Sequence, residues 1–315
     1  MYSKLKIFTG NSNKKLAQEV SKFAGIPLGD ANVFKFSNDN TFVKINENVR
    51  GADAFIIQPT CIPVNDNLME LLIMMDALKR ASAAKINCVI PYFGYARSDK
   101  KDQPRVPITA KLVADLLSAA GASRVICMDL HSEQIQGFFN VPVDHLSSMP
   151  LFARYFKKNL DLKDTVIVSP DTGGTARARE MSQYLDCDLA IGDKRRLGND
   201  SNAEVLNLIG DVRDKTAILF DDIVDTAGSL SKMAKKLIEE GANKIYAACA
   251  HGILSGSALK NIDDSPIEKL FITNSIPLSE ESKRSKKIIQ ISIGELLAIA
   301  IKKIHLEESV SILFR

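Results

Sequence analysis

A series of short, almost continuously apolar runs, separated by stretches of helical periodicity, constrains this chain more than any other feature. The runs Lys4–Phe8, Ala54–Gln58, Ile86–Pro91, Arg124–Asp129, Thr165–Ser169, Asp188–Gly192, Thr216–Phe220, Lys244–Ala250 and Lys269–Thr273 read as strands. Most show no polar alternation, as in parallel strands buried on both faces by helices. Between them, residues 66–79 (DNLMELLIMMDALK) read as the most apolar helix, fully buried. Leu230, Met233, Ala234, Leu237 and Ile238 recur at i, i+3, i+4, i+7 and i+8, and Gly241 closes that helix. Strand–helix alternation throughout predicts an α/β fold with mainly parallel sheets. The weakly alternating SVSILF at 309–314 reads as a late strand.

The chain also echoes itself. AGASRVICMDLH (120–131) and EGANKIYAACAH (240–251) share Gly-Ala, a basic residue, an aliphatic residue and a closing His at an offset of 120. In the preceding helices, Leu112, Val113, Leu116 and Leu117 precede Met233, Ala234, Leu237 and Ile238 by 121. Two tandem, pseudo-symmetric copies of a doubly wound unit produce such an echo. With 315 residues the chain suits two domains of roughly 150 each, and LSSMP near 146–152 marks the break.

Composition excludes several classes. Apolar residues make up 45% and charged residues 25%, the balance of a globular chain. A net charge of +3 argues for no nucleic-acid partner by bulk electrostatics. Cys61, Cys88, Cys127, Cys187 and Cys249 contain no CxxC pair and read as buried thiols in a reducing compartment. MYSKLKIFTG lacks the apolar core of a signal peptide, and no run reaches the ~18 residues of a membrane span. A cytoplasmic protein is expected.

The sharpest chemical signal is TAILFDDIVDTAGSLSKMAKKL at 216–237. An apolar strand ends in Asp221 and Asp222, and a short loop, Asp225-Thr226-Ala227-Gly228-Ser229, opens an amphipathic helix. The loop amides, helix N-terminus and two hydroxyls suit one phosphate, while the carboxylates suit sugar hydroxyls or a metal ion. The bland alternative is a turn with an N-cap Ser and surface acids. Asp129, Asp171 and Asp193 also stand at strand ends, where open α/β sheets bind ligands, and suit Mg²⁺ bridging phosphates. Lys194 and Arg196 follow Asp193 and, being two apart, can face one site. They neutralise transferring phosphate or belong to a solvated loop. His131, two residues past Asp129, is a candidate metal or phosphate ligand, with His251 its repeat partner. Arg97 and Lys100 stand in a long loop, 91–107, suited to a polyphosphate or to solvent. Walker A, GxSxG, HExxH and protein-kinase motifs do not occur.

At these residues the sequence resembles the ribose-phosphate diphosphokinase (phosphoribosyl diphosphate synthase) family, nearly end to end. RGADAFIIQPT (50–60), NLMELLIMMDALKRASA (67–83), PYFGYARSDKKD (91–102), DLHSEQIQGFF (129–139), VSPDTGGTARAR (168–179), DKRR (193–196) and DDIVDTAGS (221–229) carry the resemblance. It implies transfer of a diphosphoryl group from ATP to the C1 hydroxyl of ribose 5-phosphate, with Mg²⁺. It also implies two phosphoribosyltransferase-like domains, 1–148 and 149–299, with about 300–315 packing back on the first. Asp225, Thr226, Ala227, Gly228 and Ser229 would hold the 5-phosphate, and Asp221 and Asp222 the ribose hydroxyls. Lys194 and Arg196 would be catalytic, acting from a mobile loop. His131 and Asp171 would serve Mg²⁺ and the diphosphate. Phe36 would stack on the base, with Asn38, Asn40, Arg97, Ser98, Asp102 and His131 on the ATP side. Arg50, Ser82, Lys101, Arg105, Gln136, Ser309 and Ser311 match an anion-binding effector site for phosphate and ADP. A homohexamer, with the nucleotide site completed by a neighbouring subunit, is implied too.

The chain departs from the family pattern in places. Phe36-Ser37-Asn38-Asp39-Asn40 stands where Phe-Ser-Asp-Gly-Glu is usual, and Ser98 replaces Gln. Amides donate as well as accept, which predicts a broader or shifted choice of nucleotide donor. Pro104 replaces a Ser, and Glu133 adds a charge that repels phosphate, so weakened effector responses are expected. A catalytically silent regulatory homologue is the alternative, although the catalytic positions are intact and no insertion is evident. A phosphoribosyltransferase that consumes the product would explain 221–229 but neither the first domain nor DKRR.

Overall fold

The apolar runs do form parallel strands. The computed structural model describes residues 4–196 and 204–314, with the backbone alone for residues 194–196, 204–206, 312 and 314. The chain divides into two units, one of residues 1–147, 275–277 and 292–315, the other of 148–274 and 278–291.

The first unit runs β1 (Leu5–Thr9), α1 (Lys14–Ala24), β2 (Ala31–Lys35), β3 (Thr41–Ile45), β4 (Asp53–Ile57), α2 (Val64–Arg80), β5 (Lys85–Ile90), α3 (Thr109–Ala120), β6 (Arg124–Met128) and β7 (Val143–Leu146). Its five-stranded sheet has the order β1-β4-β5-β6-β7, every pair parallel. β2 and β3 form a separate antiparallel pair. The core joins Phe8, Phe55-flanking Ala54 and Ile56, and Cys88 to Leu71, Met74 and Leu78 of α2. α2 is not fully buried as expected. It lies on one sheet face, so its outer side, with Met69 53% exposed, meets solvent.

The second unit runs α4 (Met149–Asn159), β8 (Thr165–Ser169), α5 (Thr175–Leu185), β9 (Asp188–Arg196), β10 (Glu204–Ile209), β11 (Thr216–Val224), α6 (Gly228–Glu239), β12 (Lys244–Gly252), α7 (Ala258–Asp263), β13 (Ile267–Thr273) and β14 (Ile288–Ile291). The seven-stranded order is β10-β9-β8-β11-β12-β13-β14, parallel except for β10. Ala217 and Leu219 of β11 enter one core with Met233 and Leu237 of α6, while Ile218 and Phe220 enter another with Phe152 and Phe156 of α4. Burial on both faces is why this strand shows no polar alternation.

α8 (Gly294–His305) returns to the first unit, burying Leu297, Ala298, Ala300 and Ile301. Residues 309–314 are not the strand expected. Ser311–Phe314 is a 3₁₀ turn, because Ser309 Oγ accepts from Ser311 N–H and bends the chain locally.

The internal echo is structural. α3 and α6 each lead through a glycine of positive φ, Gly121 (104°) and Gly241 (92°), into β6 and β12. The helical offset is 120, not 121: buried Ala110, Val113, Ala114 and Leu117 match buried Leu230, Met233, Ala234 and Leu237. Leu112, Leu116 and Ile238, which the other alignment pairs with core residues, are exposed.

Candidate active site

The strand order of the second unit locates its ligand end. From β8 the chain moves outward to β9 and β10, then returns to β11 on the other side of β8. That reversal is a topological switch point, and open α/β sheets bind ligands beyond the carboxyl ends of the strands there. β11 pairs with β8 only over Thr216–Leu219, whereas its pairing with β12 runs on to Val224. Asp221 and Asp222 therefore lie inside a strand, not at its end, on a stretch with no strand partner on the β8 side.

Arg177, on the first turns of α5, holds the two acids together. Its Nη1 donates to Asp221 Oδ1 at 3.2 Å and to Asp222 Oδ1 at 3.1 Å. Asp222 is buried, and its backbone N–H donates to Asp221 Oδ1 at 2.9 Å. Burial, above all, and then the neighbouring Asp222 raise the Asp221 carboxyl to about 8, against the opposing pull of Arg177. The pair therefore shares a proton near neutral pH. Arg177 lies in the TARAR stretch, where no chemical motif marks it. Its signal is an arginine one turn into the helix that follows a strand-end acid.

The loop after β11 leads directly into the N-terminus of α6. α6 starts at Gly228 behind Ala227, and no side chain caps its N-terminus. The N–H groups of a helix's first turn have no partner within the helix. Ala227 holds φ at 58°, a left-handed conformation that costs a non-glycine residue roughly 1–2 kcal/mol. The loop is braced from behind: Ser255 Oγ donates to the Asp225 carboxylate, and Asn261 Nδ2 donates to Thr226 O at 2.8 Å. Thr226 and Ser229 are exposed. Gly228 is not required by a positive φ, and a Cβ there would meet only Thr226 Oγ1, at 3.8 Å. Its missing side chain keeps the approach to the amides open.

Asp171 stands after β8. Its Oδ1 accepts from Gly173 and Gly174 N–H at 3.0 and 3.2 Å, which shapes the turn into α5. Asp193, Lys194 and Arg196 lie within β9, with Leu206 and Glu204 of β10 opposite the last two. The mobile loop expected at DKRR is thus strand backbone as far as Arg196, because β10 folds back and pairs with it. The side chains of Lys194 and Arg196 lie outside the described residues.

In the first unit, His131 is exposed beyond β6, and Asp129 takes a φ of 40° at that strand's end. Leu130 N–H donates to Nε2 of His145 at 2.8 Å, a neighbour with no signal in the sequence. His251, the echo of His131, is buried within β12. Arg97 and Asp102 are exposed, and Ser98 is held in a turn by its bonds to Tyr95 O and from Ala110 N–H. Phe36 is 49% exposed at the end of the β2–β3 hairpin. Asn38 Oδ1 accepts from Asn40 N–H at 3.2 Å, so this amide shapes the hairpin turn. Of the effector candidates, Arg50 and Ser82 sit on adjoining turns joined by Gly51 N–H to Ser82 O, and Ser309 and Ser311 share a hydrogen bond. Gln136 Nε2 donates to Glu133 O, while Lys101 and Arg105 are exposed. Apart from the Ser309–Ser311 pair, no hydrogen bond joins these effector candidates to one another among the described residues.

Among the described residues, no group of three or more His, Cys, Asp or Glu side chains is placed to hold a metal, and no helix is long and apolar enough to cross a membrane. Mg²⁺ needs few protein ligands, since it keeps waters and takes substrate phosphate oxygens. The Asp171 carboxylate fits that requirement. The His131 imidazole suits softer cations better.

Comparison with known proteins agrees with this layout. Residues 5–121 match the family model described as the N-terminal domain of ribose phosphate pyrophosphokinase, and residues 199–315 match the phosphoribosyl synthetase-associated domain. The ribose-phosphate pyrophosphokinase of Caldanaerobacter subterraneus subsp. tengcongensis is 56% identical over 310 residues, covering 98% of each chain. That of Bacillus subtilis (strain 168) is 53% identical over 311 residues, covering 98% of this chain and 97% of the other. The crystal structure of phosphoribosylpyrophosphate synthetase from Mycobacterium smegmatis superposes with a TM-score of 0.91 at 38% identity, covering 97% of this chain and all of that one. Identity at this level along both units leaves one assignment: the chain belongs to the ribose-phosphate pyrophosphokinase family.

Proposed function

We propose that this enzyme moves the β,γ-diphosphoryl group of ATP intact to the C1 hydroxyl of ribose 5-phosphate, releasing AMP and 5-phosphoribosyl 1-diphosphate. One bond forms between the C1 oxygen and the β-phosphorus, one breaks between that phosphorus and the oxygen retained by AMP, and the hydroxyl proton is lost. The observation that carries this reading is the uncapped N-terminus of α6, set beside a buried Asp222 and half-buried Asp221 joined by Arg177 at the switch point. The amides and hydroxyls of residues 225–229 take the 5-phosphate. Asp221 and Asp222, aligned by Arg177, take the ribose hydroxyls, and this orientation supplies much of the rate. Lys194 and Arg196 neutralise the transferring group.

Phe36 stacks on the base, with Asn38, Asn40, Arg97, Ser98 and Asp102 around the nucleotide. Asp171, with His131 toward the diphosphate, serves Mg²⁺, which would neutralise phosphate charge when bound. The protein works in the cytoplasm as a homo-oligomer, a hexamer by family resemblance. The half-exposed Phe34 and Phe36 support a hairpin that meets another subunit. Phosphate and ADP act weakly at the Arg50, Ser82, Lys101, Arg105, Gln136, Ser309 and Ser311 positions, because Glu133 stands among them.

The test is to incubate the protein with ribose 5-phosphate, Mg²⁺ and ATP, GTP or CTP, with and without added phosphate, and to separate the nucleotides. AMP is expected from ATP, with GMP or CMP also formed and little dependence on phosphate. ATP as the sole donor would refute the relaxed base choice. No monophosphate from any donor would overturn the function.

A further inference from the structure

Glu70 is a buried carboxylate with no cation for a partner among the described residues. It stands on the inner face of α2, 7% exposed. N–H donors satisfy it instead: Oε1 accepts from Asn11 N–H at 2.5 Å and from Gln58 Nε2 at 2.8 Å, and Oε2 accepts from Asn11 Nδ2 at 2.6 Å. Charge-assisted bonds of this kind are what make a buried carboxylate tolerable. Gln58, fully buried, in turn accepts from Ser12 Oγ at 2.7 Å. The chain passes so close over these groups that a Cβ at Gly10 would lie 2.4 Å from Glu70 Oε1 and 2.5 Å from Gln58 Oε1. The turn from β1 into α1 is therefore folded around an anion that the protein itself supplies. It lies at the carboxyl end of the first sheet, the end where a ligand would otherwise bind.

Asn11 carries this arrangement outward. Its Nδ2 also donates to Val33 O of β2, at 3.2 Å. β2 and β3 pair with no strand of the main sheet, so backbone ladders do not fix their position. Ala31, Val33, Val43 and Ile45 pack on the core, which holds the hairpin without directing it. The base of the hairpin is tied to β1 by Gly29 N–H to Ile7 O and by the Lys6–Glu47 pair, while within the strands directional polar ties come from Asn11 at Val33 and from Lys35, whose Nζ pairs with Asp66 of α2 at 2.8 Å. On the same hairpin Phe34, Phe36 and Phe42 form a cluster with ring centroids 5.0 to 5.4 Å apart, and Phe34 and Phe36 remain about half exposed.

We propose that Glu70, acting through Asn11, is a positioning residue that sets how the β2–β3 hairpin presents Phe36 to the nucleotide base. The proposal rests on the reading of Phe36 as the base-stacking residue. Neither Glu70 nor Asn11 touches substrate. Asn11 is exposed, so Asn11→Ala removes the amide's bonds to Val33 O and Glu70 Oε2 while keeping the backbone N–H bond to Glu70.

ATP affinity of the full-length protein, measured by calorimetry, is the direct readout. Asn11→Ala weakens ATP binding by about fivefold, the worth of one hydrogen bond. It leaves kcat and the KM for ribose 5-phosphate unchanged, while loss of the amide bond to Glu70 Oε2 lowers the melting midpoint slightly. Glu70→Gln, which turns a donor toward the donors of Asn11, weakens ATP binding likewise and also lowers the midpoint. Phe36→Ala weakens ATP binding on its own, and adding Asn11→Ala to it has no further effect, since the ring to be positioned is gone. Unchanged ATP affinity in Asn11→Ala, or independent losses in the double variant, overturns the positioning role. Unchanged ATP affinity in Phe36→Ala overturns the base-stacking reading, and the proposal with it.

Discussion

Arg177 shows how much one side chain decides at this site. It donates to two neighbouring carboxyls; burial pushes that of Asp221 toward the neutral form, and the guanidinium opposes that push. With the Asp221 carboxyl raised to about 8, the pair gains a hydrogen-bond acceptor as pH rises through that value. Affinity for ribose 5-phosphate should accordingly strengthen between pH 7 and 9. In Arg177→Ala the opposing charge is lost, the Asp221 carboxyl ionises at still higher pH, and the rise should move to more alkaline pH. A titration of KM for ribose 5-phosphate against pH checks this; coincident profiles for the two proteins would count against the Arg177 role. The acid pair and the DTAGS loop were legible as a sequence motif because carboxylates, small residues and an amphipathic helix adjoin in the chain. Arg177, Glu70 and His145 were not, because each acts across the chain: 44 positions from Arg177 to Asp221, 59 from Glu70 to Asn11 and 15 from His145 to Leu130.

At the scale of elements, the same division holds for a different reason. Parallel strands such as β8 and β11 were plain from continuous apolar runs. The strands without such a run, β2, β3, β7, β10 and β14, all lie at a sheet edge or in the separate hairpin. An edge strand needs no unbroken apolar run, and VDHL of β7 shows none. Edge pairing also turned the expected DKRR loop into the end of β9. α6 makes the opposite case, where an element's end matters more than its middle. Gly228→Ala places a better helix former where only Thr226 Oγ1 stands within 4 Å. The substrate-free protein should gain about 0.5 kcal/mol of stability, while affinity for ribose 5-phosphate falls more than about tenfold through crowding of the cradle. Thermal melts and calorimetry read the two effects separately. A variant that loses stability, or binds the sugar phosphate normally, would contradict the assignment of this loop.

The whole molecule repeats one architecture but uses the copies differently. In the second unit the strand order reverses beside β8, and the proposed sugar-phosphate cradle lies at that point. In the first, the order runs one way, and Glu70 fills the turn after β1. The first unit also depends on residues distant in sequence, since α8 buries Leu297 and Ile301 there and Nδ1 of His305 meets Asp53 Oδ2 at 2.8 Å. Burial of two such side chains is worth roughly 3–6 kcal/mol, a large share of a domain's usual 5–15 kcal/mol. Deleting residues 292–315 should therefore yield insoluble or unfolded protein; a soluble fragment melting at the full-length midpoint would contradict this. Central to the account is a diphosphoryl group that moves intact from nucleotide to sugar. ATP labelled at the β-phosphorus, incubated with ribose 5-phosphate and Mg²⁺, tests it most directly. The label should appear in the sugar product, with AMP unlabelled, whereas label retained in ADP would show single phosphoryl transfer and contradict the account.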